Sequence, residues 1–211
     1  LCYTPAISDG MTNGTPLMQY SLPSRDLICD SIEMMYEGHA ADALLTLGGC
    51  DKTVPGAAMP LARTNAFGLT LYGGAAQPGA YCARHQRNTD PGILMESIGA
   101  CERGLVDVEE LAHLERTALP GWGSCSAMFT ASTMACIMEA LGLALPGSAS
   151  TLATAPDAPY ALNPGKRDSA EAAVRALFAL MEAGVRARDV LTHDALENGI
   201  TVLCAIGGST N

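Results

Sequence analysis

Cys50, Asp51 and Lys52 stand consecutively in LGGCDKTVPG, residues 47–56, between two glycines and a Pro-Gly. Any one of the three is ordinary, but together at the end of an apolar run they look like a site. Gly48 and Gly49 permit tight backbone geometry, and Pro55 restricts where the chain goes next. The plain alternative is a turn with a buried cysteine and a solvated Asp/Lys pair. A second candidate is PGWGSCSAMFTASTM, residues 120–134, where Gly121 and Gly123 allow close backbone approach. Cys125 then falls in the first turn of an expected helix, whose unpaired amides would favour a thiolate or an anionic metal cluster. Cys136 lies eleven residues further on, about 16 Å along a continuous helix, too far to share a small cluster with Cys125. It is assigned to core packing, as are Cys29, Cys82, Cys101 and Cys204. The third candidate is Asp9 in AISDG, either an Asp-Gly turn or a hard oxygen ligand on a loop after a strand. His39, His85, His113 and His193 show no ligand spacing, and GGSTN (207–211) lacks the lysine of a phosphate-binding loop.

The elements that must position these groups follow from periodicity. Residues from about Ser24 read as a helix with Leu27, Ile28, Ile32 and Met35 on one face, ended by Gly38. ADALLTL (41–47) is a continuous apolar run, expected as a strand buried on both sides, which puts Cys50-Asp51-Lys52 beyond its carboxyl end. A helix from Pro55-Gly56 to Arg63, with Pro60 awkward inside it, leads to a second strand in FGLTLYGG (67–74). Strand, helix, strand in this order predicts a parallel βαβ unit. Residues 75–90 read as a polar loop. Asp90-Pro91 starts a helix with Ile93, Leu94, Ile98 and Cys101 inward, and Asp107 one carrying Val108, Leu111 and Leu114. A long helix is expected from about Ser124 to Leu141, then a loop over 146–167. A helix with Val174, Leu177, Phe178 and Met181 inward stops at Gly184, and a final one runs from Asp194 to Ile206. The fold class is α/β, a parallel sheet flanked by helices.

Composition excludes several classes. The 211 residues are 48% hydrophobic with net charge −10, mean hydropathy +0.18 and pI about 4.7. Such acidity leaves no basic stripe for nucleic acid. No run approaches the ~18–20 apolar residues of a membrane span, so segments such as TVLCAI are expected to be buried in the core. Eight cysteines without any C-x-x-C pair fit neither a zinc ribbon nor a disulfide scaffold, and point to a reducing compartment. LCYTPAISDG opens without an initiating Met and IGGSTN closes on a buried-looking segment, so the sequence is expected to be a piece of a longer chain, incomplete at both ends.

In order along the chain, ISDGMTNGTPLMQYSLPSRDLICDSIE, GGCDKTVPG, YGGAAQPG, GSCSAMFTASTM, EALGLALPGSAS and ENGITVLCAIGGSTN together resemble the dihydroxy-acid dehydratase family, which also contains phosphogluconate and other sugar-acid dehydratases. The resemblance covers essentially all of residues 1–211. It implies a hydro-lyase that converts a 2,3-dihydroxy acid to a 2-keto acid, most readily 2,3-dihydroxyisovalerate in branched-chain amino acid biosynthesis. A sugar acid (aldonate or phosphogluconate) is the alternative substrate, and a non-catalytic remnant of the fold the alternative of another class.

By the same resemblance Cys50 and Cys125 are iron–sulfur ligands, and Asp9, Asp51 and Lys52 hold Mg2+, with Lys52 carbamylated in some members. The glycine pair before Cys50 leans towards the 2Fe-2S branch over the 4Fe-4S one. A free ammonium at Lys52 would repel Mg2+, whereas a carbamate is an anionic oxygen ligand. The family's Pro-Cys-Asn cluster block has no counterpart here, and Cys2 is not promoted to that role. The serine base and a further magnesium-binding Glu belong to a C-terminal β-rich domain that this segment lacks, so no catalytic base is assigned and the segment alone is expected to be inactive. Pro60 and Leu119 are departures from the family pattern. The resemblance further implies a homodimer, in the cytoplasm or in an organelle matrix.

Overall fold

The parallel pair forms where the apolar runs place it. In the computed structural model, which describes residues 3–210, β1 (Ala43–Gly48) and β2 (Phe67–Tyr72) pair in parallel, Ala43 opposite Phe67 and Gly48 opposite Tyr72. They are preceded by a single helical turn α1 (Asp9–Thr12), a 3-10 turn (Pro16–Tyr20) and α2 (Ser21–Gly38), and are joined by α3 (Thr53–Thr64). Pro60 sits inside α3. Its ring is fully buried, and the Thr64 hydroxyl donates to the Pro60 carbonyl at 2.7 Å. Core packing thus offsets the missing N–H. Cys2 and the last residue of GGSTN lie outside the described residues.

The chain then forms a short hairpin, β3 (Tyr81–Cys82) with β4 (Arg87–Asn88), followed by α4 (Pro91–Glu102), α5 (Val108–Thr117) and α6 (Thr130–Ala140). A second antiparallel pair, β5 (Thr154–Ala155) and β6 (Ala158–Leu162), leads to α7 (Pro164–Ala183), the short α8 (Ala187–Val190) and α9 (His193–Ala205). Residues 75–90 and 146–167 are therefore not plain loops; each contains a hairpin, and α7 starts at Pro164. The core is formed by Leu61, Tyr72, Ala131, Ala135, Met138 and Leu143 among others. Its many alanines let α3 pack closely on the sheet and α6 on α3.

Several expected inward faces are corrected. Leu47 is 67% exposed, so β1 is not buried on both sides. On α4 the buried pair is Ile93 and Ser97, with Ile98 exposed, and on α5 Val108 is exposed while Leu114 is buried. On α7 Ala173 and Leu177 are buried, leaving Val174 and Phe178 in solvent. In TVLCAI only Val202, Leu203 and Ile206 are half-buried, and Cys204 is exposed. Among the described residues no helix is long and apolar enough to cross a membrane.

Candidate metal centre

The segment just beyond β2 brings the two cysteine loops together. Gly73 N–H donates to the Gly48 carbonyl (2.9 Å) on one side. On the other, Ser124 N–H donates to the Gly74 carbonyl (2.9 Å) and Ala76 N–H to the Cys125 carbonyl (3.2 Å). Loops 48–50 and 123–125 thus flank one extended stretch. A Cβ on Gly49 would lie 2.8 Å from the Ser124 hydroxyl, so any larger residue there would make that hydroxyl turn away. Gly121 and Gly123 do allow close approach, to the backbone of Pro159 and of Ala76.

Cys125 is not in a helix: α6 begins only at Thr130. The expected helical N-terminus is replaced by local amides. Burial pushes the Cys125 thiol up, the amides of Ala127 and Ser126 oppose it, and the nearby Asp51 and Cys50 add to the rise. In the metal-free protein Cys125 is therefore a neutral thiol, whose proton a metal would displace. With residues 124–129 non-helical, the spacing that separated Cys136 from Cys125 no longer holds. Both line an open groove of about 610 Å³ with Ser126, Ser132 and Glu139. Cys136 also packs against the core, where burial and the Glu139 carboxylate push its thiol up.

Cys50, Asp51 and Lys52 immediately precede α3. The Thr53 hydroxyl accepts from the amides of Gly49 (3.2 Å) and Cys50 (2.7 Å) and donates to the Cys50 carbonyl (3.0 Å), which uses every valence of one hydroxyl. Thr53→Val is expected to lower stability by about 1–3 kcal/mol through the orphaned amides, with Thr53→Ser close to wild type. Urea unfolding checks this; equal midpoints for Val and wild type would show that water replaces the hydroxyl.

Asp9 reaches this turn from 43 positions away. It opens α1 rather than following a strand, since no strand precedes it among the described residues. Lys52 Nζ donates to Asp9 Oδ2 at 3.1 Å, and both side chains are 6% exposed. The Ser21 hydroxyl donates to Asp9 Oδ1. Burial raises the Asp9 carboxyl, but the contacts with Ser21, Lys52 and Asp51 outweigh it and hold it below the usual range. Burial and the Asp9 carboxylate push Asp51 the other way, up. Cys50 Sγ lies 3.9 Å from Asp51 Oδ1, so the soft and hard donors adjoin.

All five predicted site residues thus lie near one end of the β1–β2 pair. Ser21 and Thr53, which hold Asp9 and Cys50, were missed; the hydroxyl three residues after Cys50 was a readable turn signal. The donor set suits an iron–sulfur group beside a hard cation: two thiols on flanking loops, two adjoining carboxyls of which Asp9 is paired to the Lys52 ammonium, and the Ser126 hydroxyl oxygen next to Cys125, buried without a hydrogen-bond partner among the described residues. His193, Asp194 and Glu197 also converge, but on the exposed start of α9, at 3.8 Å contacts.

Residues 2–211 match the family model described as dihydroxy-acid/6-phosphogluconate dehydratase N-terminal. The chain is 47% identical over 209 residues to a dihydroxy-acid dehydratase of Sulfolobus acidocaldarius, covering 99% of this chain and 35% of that protein. It is 42% identical over 207 residues to a dihydroxy-acid dehydratase of Metallosphaera sedula, covering 98% and 35%. With dihydroxy-acid dehydratase 2 of Acinetobacter baylyi identity is 43% over 208 residues, covering 99% and 35%. The chain spans about a third of the length of the curated relatives it matches.

Proposed function

The chain belongs to the dihydroxy-acid/6-phosphogluconate dehydratase family, and from that premise we propose that it is the cofactor-holding part of a hydro-lyase. The reaction removes water from a 2,3-dihydroxy acid to give an enol and then a 2-keto acid. The observation that carries this is the meeting of the Cys50 and Cys125 loops on residues 73–76, next to the buried Asp9–Lys52 pair. The relatives' shared name, dihydroxy-acid dehydratase, favours 2,3-dihydroxyisovalerate as substrate over an aldonate or a phosphogluconate.

When bound, an iron–sulfur cluster, 2Fe-2S by preference, and Mg2+ would supply Lewis acids for the leaving C3 hydroxide and for charge gathering on the carboxylate. Cys50 and Cys125 would hold the cluster from separate loops, so that its position depends on the backbone bonds made by residues 73–76. Asp9 and Asp51 would give oxygen ligands, fixed from behind by Ser21 and by the start of α3. Lys52, an ammonium paired to Asp9 in the metal-free protein, would remain beside a divalent cation as its carbamate. The base for the C2 proton would come from outside these residues. The enzyme would act as a homodimer, in the cytoplasm or an organelle matrix.

The test is the full-length protein, anaerobically purified, offered 2,3-dihydroxyisovalerate, an aldonate and 6-phosphogluconate, with keto acid as the readout. Turnover of the first by the full-length protein and none by residues 1–211 alone is expected. Preference for a sugar acid would overturn the substrate, and no keto acid from any of the three would overturn the reaction.

A further inference from the structure

Behind the Cys125 loop lies a polar arrangement with no part in the ligand set. Tyr72 ends β2 and is 3% exposed. Its phenol oxygen lies 3.4 Å from the Ser132 hydroxyl. Ser132 lines the same groove as Cys125, and Cys125 packs against the core cluster that contains Tyr72. Over the ring, Lys166 Nζ stands 5.9 Å from the centroid. Lys166 is in the first turn of α7, is 5% exposed, and its Nζ has no hydrogen-bond partner among the described residues. Burial pushes its pKa down, and the acid that opposes this is Glu139, whose carboxylate is already taken by the amides of Gly147 (2.8 Å) and Ala149 (2.6 Å). An ammonium buried without an acceptor is costly unless another charge compensates it. The ring of Tyr72 offers it a cation–π contact, while the same residue's hydroxyl meets Ser132 on the groove that Cys125 lines.

We propose that Tyr72 and Lys166 are positioning residues for the metal group held at Cys125. Tyr72 backs the Cys125 loop through its packing and its hydroxyl's contact with Ser132 on the shared groove, and the Lys166 cation over the ring supplies counter-charge to a thiolate-bound, anionic cluster. This rests on the reading of Cys125 as a cluster ligand. The logic is that of an outer shell, in which groups that touch no metal orient its ligands and set its potential. A nearby positive charge favours the reduced, more negative cluster.

The experiment uses the full-length holoenzyme and reads iron and sulfide content, the EPR spectrum of the dithionite-reduced cluster and its midpoint potential. Lys166→Met is expected to keep its iron and shift the potential to more negative values, and Lys166→Arg to restore the wild-type potential. Tyr72→Phe is expected to alter the EPR g-values at unchanged iron content. Because it removes a single oxygen, Tyr72→Phe decides the matter should Lys166→Met fail to fold. A loaded wild type whose variants keep its potential and g-values would overturn the role of the pair alone. A wild type without iron and sulfide would overturn the cluster reading, and this inference with it.

Discussion

On the proposed reading, serine at Cys50 or at Cys125 is expected to strip the full-length protein of iron–sulfur absorbance and to lower dehydratase activity more than about 100-fold. Loss of an outer-shell partner alone typically costs 10–100-fold in metal affinity or activity, and each of these substitutions removes a ligand itself. The two thiols lie on loops that share no hydrogen bond in the ladder except through residues 73–76. Neither loop can compensate for the other, and Cys136, the remaining thiol on the groove beside Cys125, projects from a separate helix, α6. Serine keeps the volume and the local hydrogen bonding, so circular dichroism should stay at wild type while iron content falls. Cys29→Ser and Cys204→Ser are the controls, one in a fully buried position and one exposed, and both should retain their iron. A Cys125→Ser protein with wild-type iron would show that the cluster is held elsewhere.

Local pattern was enough for the β1–α3–β2 unit, because a continuous apolar run, a helix start and a second run leave few arrangements of the chain. It failed where tertiary hydrogen bonds outweigh helical spacing. Residues 124–129 continue the apolar period of α6, yet the Ser124 amide donates to the Gly74 carbonyl and the Cys125 carbonyl accepts from Ala76, which ties this stretch to residues 74–76 instead of to the helix. On α7 the expected stripe included Val174 and Phe178, yet the side with the small Ala173 packs inward, since a β-branched or aromatic residue would hold α7 away from β2. The pairing of Asp9 with Lys52 could not come from spacing at all. Two charges 43 residues apart become neighbours only through α1, the 3-10 turn and α2, and family resemblance, not periodicity, marked Asp9. Tyr72 and Lys166 gave no signal, because an apolar strand end and a helix-start lysine look ordinary until they stack.

The Asp9–Lys52 pair allows a structural role and a metal role to be separated. In the metal-free protein Lys52→Met is expected to cost about 3–5 kcal/mol, because it leaves a buried carboxylate without its cation. Asp9 would still have the Ser21 hydroxyl and its contact with the Asp51 carboxyl, which is itself pushed up by burial and by Asp9, but no longer its lysine. Adding Asp9→Asn to Lys52→Met should recover most of the loss, since the charge that was stranded is gone; a double-mutant cycle in urea reads this directly. Lys52→Arg retains a cation and should cost less than methionine, about 1–3 kcal/mol for its extra bulk. In the full-length enzyme the order changes. A guanidinium cannot take up carbon dioxide as a lysine amine does, so Lys52→Arg and Lys52→Met should both lose more than about 100-fold in Mg2+-dependent activity. If Lys52→Met is as stable as wild type, the buried pair contributes nothing. If Lys52→Arg keeps wild-type activity, Lys52 acts only as a counter-ion to Asp9, and Mg2+ is held by the carboxylates without it.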